Sequence, residues 1–513
     1  MQKKRILVAG ATGYVGGRLV PLLLASGYPV RALTRSRQKV LSRPWGRYEG
    51  LEIAQGDMHD LESVRTALQD CDIVYYLVHS MESGQRDFSD ADRRAAYNMV
   101  RALKGSNVRR VIYLSGLLPD DPNLSTHLRS RGEVEEILSL SDTPVTTLRA
   151  AQLIGSGSAS FEMIRWLVDR LPVMITPRWT SVRTQPIAIT DALEYLTRVL
   201  ECPESVGRSF DIGGPDILSY ADLFRLYAEV ASLRKRLLIP FPWMSLRFSA
   251  RLVGLITPIP AALALPLIEG MRNEVVCHDD SIRQILPIEL TPVKTAIERA
   301  LGHVRDQSVK SSWLDAGLPF VPEWVQRGDA QYAESAIYRD GFLIRFAATD
   351  DEVWQPIVHI GGSRGWYSKN ALWRLRGLMD RFMGGPGTQR GRRSEEDLYV
   401  GDGLDFWRVL AIEPQKRLLL LTEMRMPGEG LLDLRINPRG IIQGGRGPET
   451  ELLICLYFRP SGVPGRLYWY AVSPFHALVF KAMLRSIAQR IDKPVIFGPA
   501  RTSLPMTELP PPM

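Results

Sequence analysis

The sequence has few of the residues that build metal centres and disulfide scaffolds. It contains 4 cysteines among 513 residues, and Cys71, Cys202, Cys277 and Cys455 lie far apart without a Cys-x-x-Cys or Cys/His pair. Its 7 histidines also lack the spacing of a ligand set. We therefore expect neither a disulfide-stabilised secreted domain nor a metal site.

A concentrated basic segment and a long uninterrupted apolar run are also missing. The formal net charge is +8 with lysine and arginine spread along the chain, so nucleic acid is not an expected partner. Residues 252–268 (LVGLITPIPAALALPLI) are nearly all apolar but carry Pro258, Pro260 and Pro266. A spanning helix needs roughly 20 uninterrupted apolar residues. We interpret the segment as buried or cleft-lining. Peripheral contact with a membrane surface and a membrane span are the alternatives.

The first residues, MQKKRILVAGATG, pass into a strand pattern without the apolar core of a signal peptide. We expect a reducing, cytoplasmic location, with membrane association through residues 252–268 left open. A composition of 45% hydrophobic and 23% charged residues is typical of globular domains, and the length predicts two to four of them.

Strand-like and helix-like segments alternate from residue 5 to about residue 200. RILVAG, PVRALTR, LEIAQGD, DIVYYLV, RRVIYLSG and TPVTTLRA are apolar strand patterns with helical patterns between them. This alternation predicts an α/β fold with a doubly wound parallel sheet in a domain over residues 1–305. Within it, the more helical, proline-marked residues 203–305 are predicted to form a lid over a substrate. We further predict a linker over 306–336, a second domain over 337–492 and a mobile, proline-rich tail over 493–513.

The strongest chemical signal is VAGATGYVGG, in which Gly10, Gly13 and Gly16 follow a strand and open a helix. Glycines allow the backbone to approach a pyrophosphate, and the helix N-terminus supplies N–H groups to it. The next strand ends in ALTRSRQK, with Arg35 and Arg37 where NAD sites usually carry an acid. Because guanidinium groups pair bidentately with phosphates, NADP(H) is the predicted cofactor. A surface-exposed basic turn is the alternative.

GATGYVG, ALTRS, GDMHD and VIYLSG together resemble the atypical branch of the short-chain dehydrogenase/reductase superfamily, near its NmrA-like and complex-I-subunit-like NADP binders. The resemblance covers about residues 1–300. It implies a Rossmann fold with the nicotinamide near Ser115 and residues 148–155. The residues predicted to bind the cofactor are Gly10, Thr12, Gly13, Tyr14, Val15, Gly16, Thr34, Arg35, Arg37, Asp57, Met58, Leu77 and Arg131.

Active members of that superfamily carry a serine followed by a Tyr-x-x-x-Lys pair. Ser115 occupies the serine position, but the pair's place falls on His127 and Arg131, four residues apart on one helix face. An arginine beside a histidine favours a neutral imidazole, which polarises a carbonyl but is a poor acid. We predict that Ser115, His127 and Arg131 take part in catalysis. Cofactor binding alone, or a structural role with Arg131 paired to Glu135, are the alternatives.

The second domain contains IGGSRGWYSKNALWRLRGLMDRFMGGPG and YFRPSGVPGRLYWYAVSPFHALVF. It looks like a domain of unknown function often fused behind such NADP-binding domains. It is also similar in pattern to the α+β helix-grip fold of the START/polyketide-cyclase superfamily, which often encloses an apolar cavity. Its tryptophans either pack in the core, which we favour, or line such a cavity. Arg390, Arg392 and Arg393 are expected in a solvated loop, with anion binding or docking onto the first domain as alternatives.

Two functions from different classes are compatible with these features. The first is an NADPH-dependent reductase of a small, apolar carbonyl or quinone-like substrate with non-standard catalytic residues. The second is a non-catalytic NADP(H)-binding protein with a structural or redox-sensing role. Ser115 favours the first, whereas the missing tyrosine and lysine favour the second. Since a lid and a separate ligand-type domain suit a substrate better than a sensor, we favour the reductase.

Overall fold

The structure is a computed structural model that describes residues 3–79, 88–119, 121–306, 308–315, 337–368, 370–383, 385–388, 390–441 and 447–503. The chain divides into two compact units, residues 1–318 and 319–513. Each is described by itself below.

A seven-stranded, fully parallel sheet forms the centre of the first unit, in the order β3-β2-β1-β4-β5-β6-β11. Its strands are β1 (Ile6–Ala9), β2 (Val30–Thr34), β3 (Leu51–Gln55), β4 (Ile73–Tyr76), β5 (Arg110–Gly116), β6 (Val145–Ala150) and β11 (Ser209–Ile212). The intervening helices are α1 (Gly16–Ala25), α2 (Arg37–Leu41), α3 (Leu61–Leu68), α4 (Phe88–Leu103), α5 (Thr126–Ser139), α6 (Ala159–Arg170) and α7 (Ile189–Arg198). This is the predicted Rossmann-type, doubly wound arrangement.

Both faces of this sheet are buried, which explains why its strands are uniformly apolar. Ile6 and Val8 of β1 belong to one core cluster, whereas Leu7 and Ala9, pointing the opposite way, belong to another. Helices therefore cover the sheet on both sides, as the alternation of strand and helix patterns predicts.

A second apolar core lies beyond the sheet. It joins α6 to α8 (Tyr220–Val230), α9 (Leu246–Ile256), α10 (Ala261–Gly270) and α12 (Val293–Arg305), through residues such as Phe161, Phe224, Val253, Leu263 and Ile297. A short α11 (Ser281–Ile285) precedes α12. Three two-stranded ribbons complete the unit: β7 (Leu153–Ile154) with β10 (Ile187–Ala188), β8 (Val173–Thr176) with β13 (Leu237–Pro240), and β9 (Arg183–Thr184) with β12 (Leu218–Ser219).

Two predicted boundaries need correction. Residues 209–212, assigned to the lid over 203–305, form β11 and pair with β6 in the main sheet. Part of the predicted linker over 306–336 is not a free connection, because Ser311 accepts a hydrogen bond from Arg18 at 2.8 Å and Asp315 one from Arg43 at 2.9 Å. The buried guanidinium groups of Arg18 on α1 and of Arg43 just after α2 thus hold residues 308–315 against the rest of the first unit. Residues 316–336 lie outside the described residues.

The apolar stretch 252–268 forms the end of α9 and most of α10, which pack against each other and contribute Val253, Ile259 and Leu263 to the second core. The prediction of a buried segment is thus confirmed for these side chains. Among the described residues no helix combines the length and the apolar character that crossing a membrane requires.

The second unit is built on a seven-stranded antiparallel sheet in the order β15-β16-β17-β18-β19-β14-β20. Its strands are β14 (Tyr338–Phe346), β15 (Gly403–Leu404), β16 (Trp407–Glu413), β17 (Arg417–Thr422), β18 (Gly428–Ile441), β19 (Pro448–Pro460) and β20 (Val495–Thr502). Its helices are α13 (Asp350–Val358), α14 (Asn370–Phe382) and the long α15 (Gly462–Ile491). The helix-grip likeness of this arrangement stays a prediction.

The aromatic residues of the second unit form a core, as favoured from the sequence. Trp354, Trp366 and Trp407 are buried in one cluster with Phe480 of α15. The indoles of Trp366 and Trp373 lie 5.3 Å apart between ring centroids. Aromatic pairs at such distances contribute more than their buried area alone.

Two other expectations for this unit are wrong. The tail predicted to be mobile over 493–513 contains β20, which pairs with β14, and Arg501 of β20 donates to buried Asp340 at 2.7 Å. Residues 504–513 lie outside the described residues. The arginines of the loop at 390–393 are not solvated: Arg390 pairs with Glu423, Arg393 with Asp402, and Arg392 donates to the carbonyl oxygen of Ile360. The carboxylates of half-buried Glu423 and buried Asp402 and the carbonyl oxygen of Ile360 thus satisfy these cations.

Candidate cofactor and active site

The loop between β1 and α1 has a backbone path that requires glycine at two positions. Gly10 has a φ of +89°, and a Cβ there would lie 2.7 Å from the carbonyl oxygen of Leu77. A Cβ on Gly16 would lie 2.1 Å from the carbonyl oxygen of Gly10. The glycine motif therefore reflects a close approach of this loop to the end of β4 and to the first turn of α1.

The first turn of α1 suits an anionic ligand. Its N-cap is Val15, which supplies no side-chain hydrogen bond to the helix, and no acidic residue lies in the first turn. The N–H groups at a helix N-terminus carry a partial positive charge and bind phosphate readily. The side chain of Tyr14 packs against one core cluster of the unit, with its ring centroid 5.0 Å from the guanidinium carbon of Arg18. The loop thus fits the pyrophosphate of a dinucleotide.

Two exposed cations follow β2. Thr34 ends the strand, and its hydroxyl accepts a hydrogen bond from the backbone N–H of Ser36 at 3.2 Å, which shapes the turn into α2. Arg35 and Arg37 on this turn are exposed, whereas the nearby Lys39 is buried and donates to the carbonyl oxygen of Asp315. The turn therefore presents two guanidinium groups at the carboxyl end of β2. Their contact with a ribose phosphate stays a prediction.

The residues predicted to meet the rest of the cofactor lie at neighbouring strand ends. Asp57 follows β3, and its carboxylate accepts a hydrogen bond from the backbone N–H of His59 at 2.9 Å. Met58 is buried, and its carbonyl oxygen accepts a hydrogen bond from Asn98 at 3.0 Å. Leu77 follows β4 beside Gly10. Their positions suit the rim of a cofactor cleft at the carboxyl edge of the sheet.

Four polar side chains meet between the ends of β4, α4 and α5, and we call them the imidazole cluster: His79, Asp92, His127 and Arg131. Arg131 Nη2 lies 3.0 Å from Asp92 Oδ2 and 2.6 Å from His79 Nδ1. The rings of His79 and His127 lie 5.1 Å apart between centroids. Because Leu77 touches the glycine loop two residues before His79, the cluster lies beside that loop.

His79 Nδ1 has two polar neighbours. It lies 2.6 Å from Arg131 Nη2, which can only donate, and 2.9 Å from Asp92 Oδ2, which can only accept. With the ring proton on Nε2 the Nδ1 atom accepts from Arg131, and with the proton on Nδ1 it donates to Asp92. In both tautomers Nε2 is buried and has no hydrogen-bond partner within the described ranges.

The electrostatics keep both imidazoles neutral. Burial and then the Arg131 guanidinium lower the pKa of His79, and Asp92 opposes them. Burial, followed by His79 and Arg131, holds the pKa of His127 well below its usual value. Arg131 stays charged, because Tyr113 and Asp92 raise its pKa against the effect of burial. The cluster thus presents neutral imidazoles around a fixed ion pair.

Of the predicted catalytic residues, Ser115 lies near the end of β5, and His127 and Arg131 lie on the adjacent helix α5. Ser115 is buried at the end of β5, and a Cβ on the adjacent Gly116 would lie 3.6 Å from Cγ of Arg131. The hydroxyl of Tyr113, on the same strand, donates to the carbonyl oxygen of Arg131 at 3.3 Å. The catalytic roles of Ser115, His127 and Arg131 stay predictions.

The alternative pairing of Arg131 with Glu135 is wrong. Glu135 binds Arg149 on β6, with 2.6 Å between Arg149 Nη2 and its carboxylate, whereas Arg131 turns inward to Asp92. The two residues lie on one helix, but the buried carboxylate of Asp92 gives the guanidinium a partner shielded from water.

Sequence reasoning missed Asp92, and it placed His79 near a strand end that faces the presumed cleft without assigning it to the site. Asp92 is buried on α4, in line with Ala95, Ala96 and Met99, all buried. An ionisable residue on a core-facing stripe is the signal that could have revealed it, because such a residue needs a buried partner.

Two family models match this chain, one in each unit. A model of the NAD(P)H-binding family matches residues 10–164. A model of a protein family of unknown function, DUF2867, matches residues 332–483.

Relatives over the first unit are distant. The chain is 24% identical over 230 residues to the photosystem II assembly factor Ycf39 of Trieres chinensis, covering 44% of this chain and 69% of that protein. It is 22% identical over 301 residues to NADH dehydrogenase (ubiquinone) 1 alpha subcomplex subunit 9, mitochondrial, of Arabidopsis thaliana, covering 56% and 74%. Among solved structures, triphenylmethane reductase of Citrobacter sp. aligns with a TM-score of 0.48 and 18% identity over 58% of this chain and 99% of that chain.

The family models and the geometry of the glycine loop agree on the cofactor class. The chain therefore joins a segment that matches the NAD(P)H-binding family, residues 10–164, to one that matches DUF2867, residues 332–483.

Proposed function

We propose that the first unit is an NADPH-dependent reductase of an apolar carbonyl or quinone-like compound, with the imidazole cluster in place of the usual tyrosine and lysine. The observation that carries this proposal is Nε2 of His79, which is buried and has no partner among the described residues, while Arg131 and Asp92 contact the other ring nitrogen. In the tautomer with its proton on Nε2 and Arg131 donating to Nδ1, His79 is a buried, oriented donor suited to polarising a carbonyl oxygen.

The preference for NADPH over NADH rests on the turn after β2. Arg35 and Arg37 are exposed there, and no acidic residue lies between Thr34 and Trp45 to bind the ribose hydroxyls instead. A guanidinium on this turn would pair with the 2′-phosphate of the adenosine ribose.

The apolar nature of the substrate is inferred from the helix that meets the cluster. A Cβ on Gly270, at the end of α10, would lie 3.7 Å from Cδ2 of His127. The rest of α10, AALALPLIE, carries no charge before Glu269. A substrate beside His127 would therefore face aliphatic side chains on its far side.

The residues have distinct tasks in this proposal. The chemistry that NADPH would supply when bound is the hydride for reduction of the carbonyl. His79 Nε2–H donates a hydrogen bond to the carbonyl oxygen, where negative charge develops. Because both imidazoles are held neutral, neither has a spare proton, and the proton that completes the alcohol comes from solvent. Arg131 and Asp92 are positioning residues that fix the ring of His79.

The test combines binding and turnover on the full chain. NADPH and NADH are titrated by cofactor fluorescence, and NADPH oxidation is then followed with a panel of apolar aldehydes and quinones. His79→Gln is expected to bind NADPH normally and to lose about 100-fold in kcat. His278→Gln, an exposed histidine of the same unit, is the matched control. Unchanged turnover in both His79→Gln and His127→Phe would refute the assignment.

A second candidate is a non-catalytic NADP(H)-binding protein, and one observation favours it. Arg131, at the position of the family's lysine, is 8% exposed at its side chain and bound to Asp92, as a structural ion pair would be. Tight NADPH binding without oxidation by any compound of the panel is the result expected for this candidate.

A further inference from the structure

We propose that the first unit binds the surface of an anionic membrane through one apolar, cation-rimmed face. We call it the ribbon face, and its central residues are Val173, Ile175, Leu237, Ile239, Trp243 and Phe248. It involves none of the residues of the cofactor loop or the imidazole cluster.

The ribbon of β8 and β13 has apolar side chains on both sides. Val173 lies opposite Leu237 and Ile175 opposite Ile239 in the parallel register, and all four are exposed. Their neighbour Met174 faces the other way and is buried in the second core. A strand pair with one face in water normally carries polar residues on that face. Four exposed aliphatic side chains at paired positions therefore indicate a surface that contacts something apolar.

The chain continues this surface beyond β13. The backbone N–H of Phe241 bonds to the carbonyl oxygen of Thr176 at 2.8 Å, and the ring of Phe241 meets that of Trp243 at 5.9 Å. Trp243 is 83% exposed. An indole in such a position has the amphipathic character that places tryptophan at lipid headgroups.

Helix α9 follows directly and extends the face. Phe248 and Leu255, seven positions apart on the helix, are both about half exposed, whereas Val253 packs inward. Arg170, just before β8, donates to the carbonyl oxygen of Ile256 at 2.5 Å, which ties the end of α9 to the start of the ribbon. The exposed apolar residues thus belong to one connected part of the fold.

The sequence segments that form this face carry charges of one sign, and of their arginines Arg183 pairs with Glu274 outside these segments. No aspartate or glutamate occurs between Glu229 and Glu269, and five cations lie in that interval: Arg234, Lys235, Arg236, Arg247 and Arg251. All of them except Arg236 are exposed. Residues 170–190, which contain β8, also lack any acid and carry three arginines, Arg170, Arg178 and Arg183. A cationic rim around apolar and aromatic side chains complements an anionic lipid surface.

The charge pattern argues against a second copy of this chain as the occupant. A two-fold dimer through the same face would bring one cationic rim against another, and like charges repel. Because no helix in the described part of the chain is built to cross a membrane, the proposed contact is peripheral, with the side chains of the ribbon face entering the headgroup region.

The test is flotation of the full chain with large unilamellar vesicles of phosphatidylcholine alone or with phosphatidylglycerol. We expect binding to the anionic vesicles only, weakened by salt. Trp243→Ser and the pair Arg247→Glu with Arg251→Glu should each reduce the bound fraction about tenfold or more. The matched controls are Val206→Ser, an exposed apolar residue elsewhere, and the exposed pair Lys104→Glu with Lys416→Glu.

Three results would overturn the proposal. One is no flotation with anionic vesicles, the second is equal binding to neutral vesicles, and the third is binding that neither set of variants reduces. Self-association that rises with concentration and is abolished by Trp243→Ser would assign the face to a second copy instead. NADPH binding, measured in parallel, should be unchanged in every variant, which separates this test from that of the proposed function.

Discussion

Asp92→Asn is expected to destabilise the first unit by about 3 kcal/mol, although the side chain keeps its size. The carboxylate is 1% exposed at its side chain and accepts hydrogen bonds from Arg131 at 3.0 Å and from Ser130 at 3.2 Å. Removing its charge leaves the buried guanidinium of Arg131 without its counter-charge, and an uncompensated buried charge costs about 3–5 kcal/mol. We expect a cost at the lower end of this range, about 3 kcal/mol, because the amide oxygen of asparagine still accepts one hydrogen bond.

The measurement is urea-induced unfolding of the full chain, followed by circular dichroism, with the transition of each unit fitted separately. Asp90→Asn is the matched control on the same helix, because the Asp90 side chain is 51% exposed and its pairing with Arg93 is worth less than about 1 kcal/mol. Adding Arg131→Met to Asp92→Asn should recover much of the lost stability, since no buried charge then remains. If Asp92→Asn costs no more than Asp90→Asn, the ion pair does not hold the cluster as argued.

Three further predictions concern His127, Arg35 and β20. Because the pKa of His127 is held below its value in the unfolded chain, unfolding takes up a proton as pH falls below about 6.5. The free energy of unfolding should then fall by up to about 1.4 kcal/mol per pH unit. His127→Phe should flatten this dependence in unfolding curves at pH 5 to 8, and an unchanged slope would contradict the assignment. Arg35→Ala should weaken NADPH binding about tenfold in fluorescence titrations and leave NADH binding unchanged, whereas Lys104→Ala should alter neither. Deleting residues 493–513 should lower the Tm of the second unit by several degrees in calorimetry, because it removes β20 and exposes Asp340; an unaltered Tm would show that β20 adds nothing.

The sheet of the first unit could be predicted from the sequence because its strands are buried on both faces. In the sequence such strands are short apolar runs, and in the helices between them the apolar residues recur with a period of 3.6 residues. One of these helices is α3, Leu61–Leu68, and the side chain of Asp60 caps its start. Val134, Ile137 and Leu138 are buried on α5 as its apolar stripe predicts.

The edge elements could not be predicted in this way. β11 is four residues long, and β20 contains Gly498 and Pro499, which the sequence alone assigns to a loop. Both strands form because a neighbouring strand offers a partner, β6 in one case and β14 in the other. The segment at 308–315 is fixed in the same manner, through Arg18 and Arg43 on distant parts of the chain. Such tertiary contacts leave no periodic trace in the sequence.

The imidazole cluster shows which sequence signal would have located the candidate site more fully. His127 and Arg131 mark one half of it, because they replace the pair that the family resemblance leads one to expect. The other half is Asp92, which interrupts the small, apolar stripe of α4. A carboxylate on a buried stripe needs a cation, and a guanidinium on a buried stripe needs an anion. Two helices that follow neighbouring strands of one sheet, each carrying one of these exceptions, therefore predict an ion pair between them. Applied to this sequence, the reasoning pairs Asp92 with Arg131 at the carboxyl edge of the sheet and leaves His79, at the end of the strand before α4, as the side chain that the pair orients.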